Sequence, residues 1–345
     1  MADALNPHFT RRAFLASLAT APFAAYATPL TRDPTFTVLS LFHPQRLVLY
    51  ATSEPLAILL GGESVSLRSG ESLTIDAIGS RIAVTNSVVR QLTIRSVSAF
   101  AVEVPNKLRR NYFGTLAIEN IGGKLRCVVG IERELAVASI VAAESPPRAT
   151  SNALAAQAVA ARSFVLGART NHVGADFCDT THCQFLREPP VPGSGFATAV
   201  RRTKGLVLRY RGPVDDAPAI LAAMYSRSCG GRTRTLAELG LPSRGYPYYA
   251  VDCAFCRAHP ELWQRDLAAP TSNSERGRLD YNRIHGWSAL PGHIDSTTAL
   301  SINGRGIGHG LGLCQLGAAD MAAHGAAFAD ILSHYYPNTA VVRVA

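Results

Sequence analysis

The feature that most constrains the fold is a change of hydrophobic pattern along the chain. Residues 35–105 are rich in Val, Ile, Leu, Thr and Ser, and they contain short alternating runs, such as 63–67 and 90–94, with glycines between runs. This alternation is typical of half-buried strands joined by turns. From residue 132 onward, helical stretches come first, strands return near 206–208 and 219–225, and helical residues close the chain. The order predicts an α+β fold.

We expect two units after the N-terminal segment. A small β-rich unit covers residues 28–110 and ends in the polar stretch 106–111, and a mixed α+β domain covers 111–345. Within the second unit, Gly122-Gly123 predicts the turn of a hairpin over 114–129. Pro146-Pro147 ends a helix over 132–143, and Thr150 or Ser151 caps the next helix. The buried stripe of this second helix is predicted at helical spacing: Leu154, Ala158, Ala161 and Val165.

Residues 1–27 have the pattern of a removable export signal. Arg11 and Arg12 precede an apolar, Ala-rich run that ends in Ala25-Tyr26-Ala27. The arginine pair before Phe14 and the small residues at the end indicate the twin-arginine export route. The alternative is a buried N-terminal helix. The run is shorter than the about 20 apolar residues that span a bilayer. We therefore expect an exported protein of the periplasm or cell envelope without a transmembrane segment.

The charge of the chain favours an anionic partner. The sequence contains 34 Lys and Arg against 25 Asp and Glu, a formal net charge of +9. A basic surface suits nucleic acid, a membrane surface or an acidic polymer. Export and the lack of any nucleic-acid-binding motif argue against nucleic acid. The charge alone does not choose between the other two.

Four further blocks occur in order after residue 140. Glu144-Ser145-Pro146 precedes a helix that reads Ala-Leu-Ala-Ala-Gln-Ala-Val-Ala-Ala-Arg-Ser over 153–163. The others are Cys-Asp-Thr-Thr-His-Cys-Gln at 178–184, Ser-Cys-Gly-Gly-Arg-Thr at 228–233, and Gly-His-Gly-Leu-Gly-Leu-Cys-Gln-Leu-Gly-Ala at 308–318, before His-Tyr-Tyr-Pro at 334–337. Together they resemble the SpoIID/LytB family, named for stage II sporulation protein D and an amidase enhancer, over residues 112–343. Ser145, Cys314 and Ser226-Arg227 depart from the family pattern.

The resemblance implies a mixed α+β domain with a glycan groove. Enzymes of the family are lytic transglycosylases, which cut peptidoglycan between N-acetylmuramic acid and N-acetylglucosamine and prefer strands without stem peptides. Their catalytic acid falls on Glu144. A glutamate at the C-terminal end of a helix and beside apolar residues has its ionised form disfavoured by the helix dipole and by desolvation, as a general acid requires. The alternative is that Glu144 only caps the helix or forms a salt bridge.

The matched blocks supply the expected substrate-binding residues. Alternating glycines between 304 and 312 leave backbone amides uncovered, so that a sugar can approach the main chain. A phosphate-binding loop is excluded because no Lys-Ser/Thr follows the glycines. A structural turn that holds His309 in a hydrogen bond is the alternative. Arg162 also has a structural alternative, and Gln157 is expected to be a structural residue of the helix. The expected substrate-binding residues are Arg162, Gln184, Ser228, Gly230, Gly231, Gly308, His309, Gly310 and Gln315.

The cysteines allow either metal or disulfides. Two imidazoles and two thiols lie within 172–183 and suit a tetrahedral structural zinc site, and some family members hold zinc in this neighbourhood: the ligands would be His172, Cys178, His182 and Cys183. In an oxidising compartment disulfides are the alternative. Short-loop pairs would join Cys178 to Cys183 and Cys253 to Cys256, or Cys229 could cluster with Cys253 and Cys256. No βαβ pattern surrounds Cys253 and Cys256, which argues against a thioredoxin-like role.

These inferences predict an exported lytic transglycosylase that acts on peptidoglycan glycan strands. It would use Glu144 as its single acid and base, and zinc only as a structural ion. The alternative is a non-catalytic glycan-binding protein that enhances a partner cell-wall amidase. Both would bind the glycan, but only the enzyme requires Glu144.

Overall fold

The computed structural model describes residues 32–147, 149–168, 172–210, 220–239, 245–266, 293–297 and 301–344. The expected export signal at 1–27 lies outside these residues. The main sheet has eleven strands, and their bounds follow the alternating runs of the sequence: β1 Thr35–Val38, β2 Arg46–Ala51, β3 Leu56–Leu60, β4 Glu63–Leu67, β5 Ser72–Ile78, β6 Arg81–Val84, β7 Ser87–Val89, β8 Gln91–Val104, β9 Leu108–Ile121, β10 Lys124–Gly130 and β11 Phe177–Cys178.

Most neighbours in this sheet are antiparallel. The strand order is β11-β1-β10-β9-β8-β2-β5-β6-β7, while β3 pairs with β4 and β8. Strand β11 pairs with β1 in parallel, so that Thr37 lies opposite Cys178. The predicted hairpin is confirmed, because β9 and β10 pair around a turn at Gly122-Gly123. The polar stretch 106–111 forms the turn and the start of β9, and β8 and β9 pair on both sides of it. The division into two units at this point stays a prediction.

Helices and short strands make up the rest of the described chain. The helices are α1 Arg133–Glu144, α2 Ser151–Gly167, α3 Gly195–Arg202, α4 Ala254–Ala258, α5 Gln315–Ala323 and α6 Phe328–Tyr335. Single 3-10 turns occupy Ser40–Phe42 and Ala237–Leu239. The remaining strands are β12 Leu206–Tyr210, β13 Tyr225–Ser226, β14 Leu262–Asp266, β15 His293–Thr297, β16 Ser301–Arg305, β17 Leu313–Cys314 and β18 Thr339–Arg343. Together with the sheet, these elements confirm the α+β class.

The strands outside the main sheet pair locally. β12 is antiparallel to β18, and β14 and β15 flank β16. β13 and β17 pair in parallel, so that Tyr225 lies opposite Leu313 and Ser226 opposite Cys314. This last pair brings two of the sequence blocks side by side. No helix among the described residues combines the length and the apolar character that crossing a membrane requires.

Helix α2 is the central helix of the second half. It begins after Thr150, as predicted, and packs against α1, α3, α5, α6 and β12. The sequence predicted a single buried stripe, but every residue from Ala153 to Val165 is buried. A helix that is surrounded on all sides is mostly apolar, and the many alanines of α2 let the neighbouring helices approach closely.

Arg162 is the charged residue at the centre of this packing. Its side chain is fully buried, and its Nε and Nη2 atoms lie 2.8 Å and 2.6 Å from the two carboxylate oxygens of Glu134 in α1. Nη1 also donates to the carbonyl of Leu206, 3.1 Å away in β12, and Nη2 lies 3.4 Å from the carbonyl of Val200 in α3. Arg162 therefore joins four elements around one ion pair, whose arginine is fully buried and whose glutamate is partly exposed.

We expect Arg162→Met to lower the free energy of unfolding by about 3 kcal/mol, because it leaves the carboxylate of Glu134 without its partner. The matched control is Arg257→Met, because the side chains of the Arg257–Asp252 pair are 62% and 74% exposed. This control substitution should lower the free energy of unfolding by less than about 1 kcal/mol. Urea denaturation of both variants measures the difference, and similar losses in the two would contradict a structural role for Arg162.

Candidate functional site

Glu144 is the last residue of α1 and is partly buried. Its Oε1 atom accepts a hydrogen bond from the backbone N–H of Phe185 at 2.9 Å. Its backbone carbonyl accepts a second bond from Nε2 of Gln315, also at 2.9 Å. The end of α1 is therefore held by the 178–188 segment on one side and by the start of α5 on the other. Gln315 belongs to one of the sequence blocks, and Phe185 directly follows another.

Gln315 forms the link between the helices. It is the first residue of α5, its side chain is buried, and Nε2 lies 3.4 Å from Oε1 of Gln157 in α2. A buried amide is stable only when its donors are satisfied. The side chain of Gln315 is therefore fixed by two partners that are distant in sequence, and it contacts the backbone of Glu144. Gln157 is buried in α2, and its expected structural role stays a prediction.

Gln184 and Tyr225 form a second buried pair beside Glu144. The hydroxyl of Tyr225 donates to Oε1 of Gln184. Burial, together with the negative charge of Glu144, raises the pKa of Tyr225 well above its usual range. Tyr225 therefore remains protonated and acts as a donor. Its proximity to Glu144 was not predicted from the sequence, because no motif contains it.

The Gly-His-Gly loop is packed against β13. His309 is buried, and its Nδ1 accepts the backbone N–H of Leu311 at 2.9 Å. The ring also hydrogen-bonds the backbone of Tyr225, and burial lowers the pKa of His309 to about 4. The imidazole is thus neutral near pH 7, with its proton on Nε2. These contacts are those of the structural alternative for His309, and substrate binding stays a prediction.

The glycines on either side of His309 allow this packing. Gly308 has a φ of +100°, and a Cβ there would lie 2.9 Å from the Cβ of Ser226. Gly310 lies beside the side chain of Arg234. The space beside these glycines, where a sugar was expected to approach the main chain, is therefore partly filled by β13 and its neighbours.

Ser228, Gly230 and Gly231 lie in the turn that follows β13. Ser228 is buried and exchanges both backbone hydrogen bonds with Ile307. Gly230 packs against the backbone of Arg305. The turn is therefore joined to the start of the Gly-His-Gly loop, and the two blocks form one unit next to Gln315.

Arg162 does not belong to this group of residues. Its guanidinium is fully buried, forms an ion pair with Glu134 and hydrogen-bonds main-chain carbonyls. This placement favours the structural alternative for Arg162.

A His/Cys cluster lies next to the same segment, and all four of its residues were predicted from the sequence. Nε2 of His172 lies 3.0 Å from Sγ of Cys183, and Nδ1 of His182 lies 3.6 Å and 3.5 Å from the sulfurs of Cys178 and Cys183. The four ligand atoms lie within 4.8 Å of one another. Hydrogen bonds from Cys183 and from both histidines hold the pKa of Cys178 well below its usual range. The cluster can therefore hold a metal ion.

A four-sulfur cluster includes Cys314, the residue that directly precedes Gln315. It consists of Cys229, Cys253, Cys256 and Cys314, whose sulfurs also lie within 4.8 Å of one another. The sequence suggested a group of the first three, but not the fourth. Cys314 belongs to the Gly-His-Gly block, where the family pattern has serine, and no spacing rule connects it to the others. All seven cysteines of the chain are free thiols in the structure.

Buried His309 makes stability depend on pH. Its pKa is about 4 in the folded state and about 6.5 in an unfolded chain. Between these values the unfolded chain binds a proton that the folded protein does not bind, so the free energy of unfolding falls as the pH decreases. Between about pH 7 and about pH 4, the free energy of unfolding of the wild type should therefore fall by about 3 kcal/mol more than that of His309→Asn.

Urea denaturation across this pH range measures the loss. Asn keeps an acceptor for the Leu311 N–H, so the comparison isolates the titration of the ring. Identical pH dependence in the wild type and the variant would show that His309 is not held neutral by burial.

Comparison with known proteins connects this site to a family. Residues 122–210 match the family model described as SpoIID, stage II sporulation protein. An uncharacterized protein of Brachyspira hyodysenteriae is similar to the chain, with 26% identity over 274 residues that cover 67% of this chain and 72% of the relative. The matched segment contains Glu144, Gln184 and the whole His/Cys cluster. Residues 122–210 are therefore similar to a SpoIID domain, and this similarity supports a role related to the cell wall.

Proposed function

We propose that the chain is an exported lytic transglycosylase, which cleaves the bond between N-acetylmuramic acid and N-acetylglucosamine in glycan strands that lack stem peptides. Residues 1–27 would direct it through the twin-arginine route to the periplasm or cell envelope. The similarity to a SpoIID domain supports action on the cell wall. The observation that carries the catalytic part of the proposal is the position of Glu144.

A general acid must be held still and must remain open to a substrate. Glu144 is partly exposed, one of its carboxylate oxygens is oriented by the Phe185 amide, and its backbone is held by Gln315. These contacts fix the carboxylate at the point where three sequence blocks meet. Such preorganisation favours proton transfer to a bound glycosidic oxygen.

The proposed reaction needs a single carboxylate. Glu144 first gives its proton to the glycosidic oxygen, and the bond from this oxygen to C1 of the muramic acid breaks. The 6-hydroxyl of the same sugar attacks C1 and closes the anhydro ring, and its proton returns to Glu144. A hydrolase would instead use a second carboxylate to activate water. No water is consumed in the proposed reaction, so Glu144 ends in its starting protonation state.

A cationic side chain beside the proposed acid suits an anionic glycan. Arg187 lies near enough to Glu144 for their charges to interact, and its guanidinium stacks 4.5 Å from the ring centre of Phe185. Each muramic acid of a strand without stem peptides carries a lactyl carboxylate. Together with the net charge of +9, this cation supports an acidic polymer as the ligand. Gln184 and the Gly-His-Gly loop would form the neighbouring surface.

We also propose that the His/Cys cluster holds a structural zinc ion. Two thiols and two imidazoles are a donor set that zinc binds tetrahedrally. With all four positions used by protein ligands, the ion has no open position for substrate, and it takes no part in the proposed reaction. It would fix the 172–183 segment, whose neighbours Gln184 and Phe185 contact the acid and its surroundings.

Replacement of Glu144 tests the assignment of the acid. We expect Glu144→Gln to reduce the release of soluble fragments from glycan strands without stem peptides by at least about a hundredfold, because an amide cannot donate the required proton. The matched control is Glu188→Gln, which changes an exposed glutamate of the same segment and should leave the rate unchanged. Activity that survives in Glu144→Gln would contradict the assignment.

An amidase assay distinguishes the alternative function. If the wild type releases no fragments from the strands but stimulates a cell-wall amidase, and Glu144→Gln stimulates it equally, the chain is a glycan-binding enhancer. Our proposal predicts fragment release without any amidase present.

Metal analysis tests the zinc proposal. We expect Cys183→Ala to lower the zinc content by one ion per chain, because three ligands bind zinc more weakly than four. The matched control is Cys127→Ala, which removes a buried thiol of β10 that belongs to neither cluster. Zinc content measured by mass spectrometry of the dialysed proteins should fall only in the first variant. Equal zinc in both would contradict the proposed site.

A further inference from the structure

The four-sulfur cluster is built from three separate parts of the chain. Cys229 follows β13, Cys253 and Cys256 flank the start of α4, and Cys314 ends β17 and caps α5. All four side chains are at most 2% exposed. Four buried free thiols are poorly explained by packing alone, because all four sulfurs lie within 4.8 Å of one another.

We propose that the four-sulfur cluster is a second structural zinc site with four cysteine ligands. The sulfurs of Cys256 and Cys314 lie 3.4 Å apart, and no pair among the four is separated by more than 4.8 Å. Tetrahedral zinc, with bonds of about 2.3 Å, holds its sulfurs about 3.8 Å apart. An iron–sulfur cluster would need wider spacing to accommodate several irons and bridging sulfides. The observed group therefore has the size of a site for one ion.

The surroundings supply hydrogen-bond donors to the sulfurs. The backbone N–H groups of Cys229 and Gly317 point to Sγ of Cys314 at 3.4 Å and 3.5 Å. The hydroxyl of Tyr335 donates to Sγ of Cys253 at 3.5 Å. Donors of this kind stabilise metal-bound thiolates and orient them.

Gly317 of α5 leaves room for part of the four-sulfur cluster. It lies inside α5, where glycine is less favourable than alanine. A Cβ at this position would lie only 2.5 Å from Sγ of Cys253 and would also collide with the hydroxyl of Tyr335. The glycine therefore keeps open the space that the sulfur and its donor occupy.

The spacing of two of the ligands also favours metal. Cys253 and Cys256 have the Cys-x-x-Cys spacing that chelates zinc in many structural sites, and Cys253 is the N-cap residue of α4. Two disulfides are the competing state, since they would use the same four thiols. They would leave the donors described above without thiolates to stabilise.

The proposed ion would lie next to the candidate active site, but its binding does not require the proposed enzymatic activity. Cys314 directly precedes Gln315, whose amide holds the backbone of Glu144. The ion would join the turn at 228–231, the α4 segment and the start of α5. It would thus fix the residue that positions the proposed acid.

Cobalt substitution distinguishes the two proposed sites by their ligands. We expect the full chain, purified without chelator or reductant, to hold two zinc ions. Cys178→Ser with Cys183→Ser should leave one site, whose cobalt form has the red-shifted absorption of four sulfur ligands. Cys229→Ser with Cys314→Ser should leave the other site, with the spectrum of a mixed nitrogen and sulfur set. Cys127→Ser, the control, should keep both.

Peptide mapping of the unreduced wild type decides the question even if a variant fails to fold. The proposal requires all four cysteines of the four-sulfur cluster to react as thiols after denaturation in chelator. It is overturned if these cysteines are recovered as disulfides, or if the cobalt form of the wild type lacks the absorption of four sulfur ligands. It is also overturned if the ion bound to the four sulfurs is iron.

Discussion

The arrangement of the candidate site depends on one buried amide. Nε2 of Gln315 contacts the carbonyl of Glu144 and lies 3.4 Å from Gln157, so the first residue of α5 joins the end of α1 to the middle of α2. A buried donor without partners would cost about 1–3 kcal/mol. The three helices are therefore favoured in one relative position. This position leaves the carboxylate of Glu144 partly exposed and its backbone fixed.

Two further groups of contacts hold the residues around this amide in place. On one side, the Phe185 amide binds the carboxylate of Glu144, and the same segment follows directly after the His/Cys cluster. On the other side, Gln315 follows the last residue of the four-sulfur cluster. Arg162 and Glu134 stabilise the packing of α1 on α2 from within. A catalytic carboxylate needs such support, because small displacements reduce proton transfer strongly.

Local signals predicted much of the fold and part of the site. Gly122-Gly123 fixed the hairpin turn, and the end of α1 followed from Pro146-Pro147, because these residues act on their own backbone. The His/Cys cluster was predictable because its ligands lie within one short segment. Cys314 was not, since its sulfur meets Cys256 over a separation of 58 residues, and only the folded chain brings them together. The burial of Arg162 likewise depends on three neighbouring elements.

The mass of the products formed from glycan strands without stem peptides tests the proposed function most directly. Attack by the 6-hydroxyl of the muramic acid adds no water to the product. The new ends should therefore be anhydromuramic acid, which is lighter than a hydrolysed end by one water molecule. The account predicts only anhydro ends from the wild-type protein without any partner. Reducing ends, or intact strands under all conditions, would contradict it.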